Sequence, residues 1–143
     1  MLFGKRKRIV KRILVVEDEP LTAFDTEVML AGLGCEVVAT LDSYDDAMRC
    51  IEREQIDLIV SDVRLHGRDL GIDLAKAAKM RGIPTLLATG HEPPDASCQA
   101  VGCLRKPYSE RQFKRALDNV EKHLAGKSPK PSAGLQMFVT DPA

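Results

Sequence analysis

Tryptophan is absent from this 143-residue sequence, and aromatic residues make up only 4% of it. None of them interleaves with the basic residues, as a nucleic-acid-binding surface would require. No apolar run approaches the roughly 20 residues that span a bilayer, and no apolar signal-peptide core follows the basic N-terminus. We read the chain as soluble and cytoplasmic, with no membrane partner. Cys35, Cys50, Cys98 and Cys103 form no CxxC pair, and no histidine stands at zinc-ligand spacing. All four read as reduced structural thiols, with redox sensing by Cys98 and Cys103 the minor alternative. Net charge is missing too, since 21 Lys and Arg balance 21 Asp and Glu. With 44% hydrophobic residues, a disordered chain is excluded. The length suits one domain with a proper core.

The balance of charge hides an asymmetry. Lys5, Arg6, Lys7, Arg8, Lys11 and Arg12 face no acid within residues 1–12, so the rest carries 15 bases against 21 acids. Such a head can touch nucleic acid or an anionic surface. It is short and unpatterned, and we read residues 1–11 as a solvated basic arm. Residues 12–125 form the domain. From Gly126 the sequence GKSPKPSAG is polar and contains proline, so residues 126–143 read as a flexible tail. Its LQMFV end is apolar enough to dock, although a frayed terminus is the preferred reading.

Short apolar runs at Ile13–Val16, Glu36–Thr40, Ile56–Val60, Thr85–Ala88 and Val101–Leu104 read as buried parallel strands. Helical patterns lie between them. The first places Leu21, Phe24, Val28 and Ala31 on one face, with Pro20 near its start and Gly32 and Gly34 past its end. Ser43-x-x-Asp46 caps the second, and Leu70, Leu74, Ala77 and Ala78 line the third. Residues 92–99 read as a short, weak fourth helix, limited by Pro93 and Pro94. Ser109-x-x-Gln112 caps a fifth, with Phe113, Ala116, Leu117, Val120 and Leu124 inward. Alternating strands and helices predict an α/β domain with a parallel sheet and helices on both faces. The site then belongs at the carboxyl ends of the strands.

Those ends carry an unusual set of polar residues. The first strand runs into Glu17, Asp18 and Glu19, the third into Asp62, the fourth into Thr89 and the fifth into Arg105-Lys106-Pro107. Like charges about 4 Å apart repel by roughly 4 kcal/mol at an effective dielectric near 20. Such a cluster raises its pKa values or holds a cation. Hard carboxylate oxygens suit Mg²⁺, and a facing ammonium suits a phosphoryl group. Each element alone is an ordinary loop acid, cap or turn; their joint occurrence carries the argument.

ILVVEDEP (13–20), DLIVSDVRL (57–65), PTLLATGH (84–91) and CLRKPY (103–108) together resemble the receiver domain of bacterial response regulators. The resemblance covers about residues 12–125. It implies a doubly wound, flavodoxin-like five-stranded sheet of order 2-1-3-4-5. It implies Asp62 as phosphoacceptor, with Thr89 and Lys106 contacting the phosphoryl group. Mg²⁺ would be held by Asp18 and Asp62, by Glu17 through water, and by the backbone carbonyl of Arg64. A cis peptide before Pro107 is implied as well. Cys103 departs from the pattern, standing where receivers carry the Tyr or Phe that reports phosphorylation. PTLLATGH is also similar to the Phe-Ala-Thr-Gly-x-Tyr signature of the FAT-GUY subgroup of stand-alone receivers, with Leu87 in place of Phe. Arg64 and His91 flank the site, and either would tune phosphate lifetime or remain a surface residue.

The resemblance implies a single-domain response regulator, a phosphoacceptor and not a classical enzyme. Its partners would be a sensor histidine kinase or phosphotransfer protein and a downstream protein effector. No DNA-binding domain is expected, and a homodimer would use the face of the fourth helix, fifth strand and fifth helix. A phosphorylation-independent binding module is the alternative, resting on Cys103. A dehalogenase-like phosphatase would need a second acid two residues after Asp62, where Arg64 stands.

Overall fold

A computed structural model describes residues 8–138; Lys5, Arg6 and Lys7 of the basic arm and Val139 of the LQMFV run lie outside them. Five parallel strands, β1 (Arg12–Val16), β2 (Glu36–Leu41), β3 (Leu58–Asp62), β4 (Thr85–Thr89) and β5 (Gly102–Arg105), run in the order β2-β1-β3-β4-β5. Successive side chains of a strand point to opposite faces. Ile13 and Val15 accordingly join α1 (Pro20–Gly32) and α4 (Glu110–Leu124) through Leu30, Phe113 and Leu117. Leu14 and Val16 join α2 (Tyr44–Arg53) and α3 (Leu70–Met80) through Ala47, Ile51, Leu74 and Ala78. Both faces of the sheet are therefore covered, which is why its strands read as unbroken apolar runs.

The expected caps form. Ser43 accepts from the Asp46 amide at 3.2 Å. In α4, Ser109 accepts from the Gln112 amide at 3.0 Å, while the Gln112 side chain accepts from the Ser109 amide at 2.8 Å. Each reciprocal bond satisfies a donor that the helix start leaves open.

Four features differ from expectation. In α1 the inward residues are Ala23, Thr26 and Leu30, whereas Leu21, Phe24 and Val28 are 76%, 61% and 55% exposed. Thr26 is tolerated inside because its hydroxyl donates to the Thr22 carbonyl at 2.9 Å and shares a hydrogen bond with Tyr108. Between β4 and β5 there is no α-helix, only a 3₁₀ turn at Ala96–Cys98 capped by Asp95. Pro93 and Pro94 cannot donate the bonds a longer helix needs there.

The tail is not free along its described length: β6 (Leu135–Met137) pairs antiparallel with β5 and adds a sixth strand. The face expected to make a homodimer thus lacks its long fourth helix and has its strand edge occupied. Lastly, Arg8 of the basic arm is not solvated but pairs with Asp118 at 2.6 Å and Glu121 at 2.9 Å.

Candidate functional site

The parallel strands carry Glu17, Asp18, Asp62, Thr89 and Lys106 to one edge because each ends a strand or lies within two residues of its end. Glu17, Asp18 and Asp62 each offer a carboxylate oxygen, and these lie within 4.8 Å of one another. Glu17 and Asp62 are buried. Lys106 donates to Glu17 Oε1 at 2.7 Å and also pairs with Asp62 Oδ1. One ammonium is therefore shared by two of the three acids. Burial, reinforced by a hydrogen bond with Glu17, pushes Asp62 up to about 8 against the pull of Lys106. For Lys106, burial acts downward but is outweighed by its bonds to Asp62 and Glu17, which raise it.

Several backbone details fix this geometry. Asp18 Oδ2 accepts from the His66 amide at 2.7 Å. His66 and Gly67 both adopt left-handed backbone (φ 52° and 77°) in a turn closed by Leu65 and Arg68. A side chain at φ > 0 is uncommon, so this turn after β3 is specifically held. Gly71 presses against Asp62: a Cβ there would stand 1.8 Å from the Asp62 carbonyl oxygen. Its amide donates to the Val63 carbonyl at 2.9 Å, binding the start of α3 to the end of β3.

Thr89 is buried, and its hydroxyl accepts from the His91 amide at 3.0 Å. The Lys106 amide donates to the Thr89 carbonyl at 2.8 Å, and the Lys106–Pro107 peptide is cis. Tyr108 carries that loop back to α1, bonding Thr26 at 3.1 Å and packing its ring 5.3 Å from Phe113. An open cleft of about 480 Å³ lies beside it, lined by Thr22, Thr26, Met29, Gly90, Lys106 and Tyr108.

Two flanking residues do not join the cluster through their side chains. Arg64 is exposed and turns along its own loop, donating to the Gly67 carbonyl at 2.9 Å and lying 3.7 Å from Asp69. His91 is exposed and contributes its backbone amide to Thr89. Sequence reasoning passed over Gly71, His66 and Tyr108. Gly71 matters through a close approach and His66 through its amide, neither of which a side-chain pattern reveals. Tyr108 follows the Lys-Pro pair directly, the only signal that marked it.

The model for the response regulator receiver domain matches residues 13–118. The chain belongs to that family. This receiver is 32% identical over 107 residues to the transcriptional regulatory protein PdtaR of Mycobacterium tuberculosis, covering 71% of the chain and 52% of that protein. It is 31% identical over 81 residues to the phyllosphere-induced regulator PhyR of Methylorubrum extorquens, covering 55% of the chain and 30% of the relative. The receiver thus spans about half or less of these curated relatives.

Among solved structures it resembles the receiver domain of the response regulator NarL from M. tuberculosis, with TM-score 0.70 and 25% identity over 81% of this chain and 98% of that one. The PhyR structure from Brucella abortus gives TM-score 0.69 and 26% identity over 84% and 51%. The shared sheet order places the acidic cluster of this receiver at the switch point where α/β folds bind ligands.

The donor set suits the family's Mg²⁺. Glu17, Asp18 and Asp62 present only hard oxygens, with more negative charge than Lys106 balances. The cysteines offer no rival chemistry. Burial raises Cys98 and pushes Cys103 up to about 12, so neither is a ready thiolate. Among the described residues no helix is long and apolar enough to cross a membrane.

Proposed function

We propose that this receiver is a Mg²⁺-dependent phosphoacceptor that takes a phosphoryl group onto Asp62 and signals through contacts with a downstream protein effector. The observation that carries this reading is the excess of carboxylate over ammonium at Glu17, Asp18, Asp62 and Lys106, with Glu17 and Asp62 buried. Asp18 and Asp62 would hold the ion directly, Glu17 through water and Arg64 through its backbone carbonyl. Bound Mg²⁺ supplies positive charge that keeps Asp62 ionised and neutralises phosphoryl oxygens.

The Asp62 carboxylate attacks phosphorus as the P–N bond of a phosphohistidine breaks, and the departing imidazole nitrogen keeps the electron pair and takes a proton. Lys106 exchanges its pairing with carboxylate for pairing with a phosphoryl oxygen, and the Thr89 hydroxyl donates to another. Water later attacks phosphorus and returns Asp62 as carboxylate with release of inorganic phosphate. The chain is thus a spent-and-renewed acceptor and not a turnover enzyme.

The donor is a sensor histidine kinase or phosphotransfer protein. Leu21, Phe24 and Val28 give α1 an exposed apolar stripe at the site's border, which suits a helical partner. Because Asp62 is raised toward neutrality, nucleophile and cation are linked: without the ion much of it is protonated and unable to attack.

Intact-protein and peptide mass spectrometry after incubation with a small acyl-phosphate donor tests this. The expected result is a Mg²⁺-dependent phosphoryl adduct on the Asp62 peptide, absent in Asp62→Ala. No adduct from that donor or from a competent histidine kinase overturns it in favour of a phosphorylation-independent binding module, with Cys103 the residue to examine first.

A further inference from the structure

The edge of β5 is shaped to accept an extended chain. Gly102 lacks the Cβ that would come within 3.0 Å of both the Gln136 carbonyl oxygen and Met137 Sδ. The Arg105 amide donates to the Gly134 carbonyl at 2.7 Å and the Phe138 amide to the Val101 carbonyl at 2.9 Å, bracketing the short β6 pairing. Asn119 of α4 acts as a clamp, donating to the Lys130 carbonyl at 2.8 Å and accepting from its amide at 2.9 Å. Leu135 packs on the α1–α4 side of the sheet. Phe138 packs on the opposite side, against the cluster that contains Cys98, Ala100 and Cys103. An aromatic from the tail thus rests on a β5 neighbourhood built from small side chains.

The occupant is weakly held by comparison with its seat. Its strand is three residues long, Gln136 is exposed, and Leu135, Met137 and Phe138 are only half-buried. Short edge strands with few buried contacts open locally while the core stays folded. The contact also reaches the acidic cluster. Arg105, bonded to the tail, precedes Lys106, whose amide is tied to Thr89 and whose ammonium is tied to Asp62.

We propose that residues 130–138 are a detachable cover over a strand-accepting edge. The partner that fits is an extended peptide segment of a downstream protein, adding antiparallel to β5 with apolar residues in the places of Leu135, Met137 and Phe138. Phosphorylation at Asp62 favours the open state by pulling Lys106 and the end of β5 toward the phosphoryl group. This last step rests on the phosphoacceptor reading; detachment and strand acceptance do not.

Amide hydrogen exchange followed by NMR on the full chain tests the cover. The Arg105 and Phe138 amides should exchange at least tenfold faster than those of Leu14 and Val15. Asn119→Ala should speed them at least threefold more while leaving β1 unchanged. Exchange of the tail at the core's rate in both proteins overturns detachment. In the isotope-labelled full-length Asn119→Ala protein, an unlabelled peptide of residues 130–138 at millimolar concentration should displace the tail and move the Gln136 and Phe138 resonances toward free-chain positions. Absence of shifts there overturns strand acceptance. In a sample whose mass shows phosphorylation, the two tail amides should quicken at least threefold; unchanged rates overturn the control. A sample that gains no mass contradicts the phosphoacceptor reading instead, and the first two arms still decide the cover.

Discussion

Two buried charge clusters sit at opposite ends of one parallel sheet and solve the same problem differently. At the amino end, Glu121 is 1% exposed, yet its oxygens are met by Arg8 at 2.9 Å and by the amides of Ile9 and Val10 at 2.6 and 2.9 Å. Asp118 meets Arg8 at 2.6 Å and Lys114 at 3.2 Å. Burial acts to raise Asp118, but Arg8 and Lys114 outweigh it and hold its carboxyl below the usual range. At the carboxyl end, Lys106 is the one ammonium among the described residues that pairs with Glu17 and Asp62, Asp18 is met by the His66 amide, and Asp62 is driven up to about 8. Where every acid finds donors, the charge locks the chain in place. Where three clustered carboxylates are matched by one ammonium among the described residues, the fold keeps a destabilised pocket that a cation and a phosphoryl group relieve.

The contrast breaks most visibly at the locked cluster. Glu121→Ala leaves Arg8 and two backbone amides short of partners, and removing one member of a buried pair costs about 3–5 kcal/mol. Urea denaturation should show that loss, while phosphorylation of the surviving folded protein is retained. Gly71→Ala strikes the other end. A methyl group cannot stand 1.8 Å from a backbone carbonyl, so α3 or Asp62 must shift, at roughly 1–3 kcal/mol or more. Here phosphoryl uptake should fall together with stability, because the displaced atom belongs to the acceptor residue.

Asp62→Asn should act with the opposite sign. The folded value of Asp62 lies above its ordinary 3.8, so the metal-free native state binds the extra proton. Stability then falls as pH rises from about 4 to 8. The amide removes that slope and should stabilise the metal-free protein by on the order of 1–2 kcal/mol at pH 8. Melting curves across that range check it, and added Mg²⁺ should narrow or reverse the difference by stabilising only the parent. The smallest change is expected for Phe24→Ala on the exposed face of α1, within about 0.5 kcal/mol of the parent. Transfer from a histidine kinase should slow, whereas uptake from a small donor stays unchanged.

Much of this molecule is legible in its sequence because burial on both faces of a parallel sheet leaves little ambiguity. Val15 and Leu14 are apolar for different helices, β3 and β4 end on Asp62 and Thr89, and Glu17 and Lys106 directly follow β1 and β5. The capping box at Ser109 and Gln112 is equally plain. The face of α1 is not, since its most apolar stripe lies in solvent and its inner face includes Thr26, whose hydroxyl is satisfied by the Thr22 carbonyl one turn back and by Tyr108 across the fold. β6 escapes because three residues after a proline-containing stretch carry no period, and their seat depends on Gly102. The family resemblance identifies Asp62 and Lys106 as a pair but not how far the cluster is out of balance, which follows from burial and distance.

Site-resolved carboxyl NMR of Asp62 between pH 3 and 10, without and with Mg²⁺, tests the unbalanced cluster most directly. Titration near pH 8 in the metal-free protein, falling well below neutrality when Mg²⁺ is added, is the predicted result. A midpoint near 4 that ignores Mg²⁺ would contradict it, and Asp62 would then be an ordinary carboxylate with no imbalance to relieve.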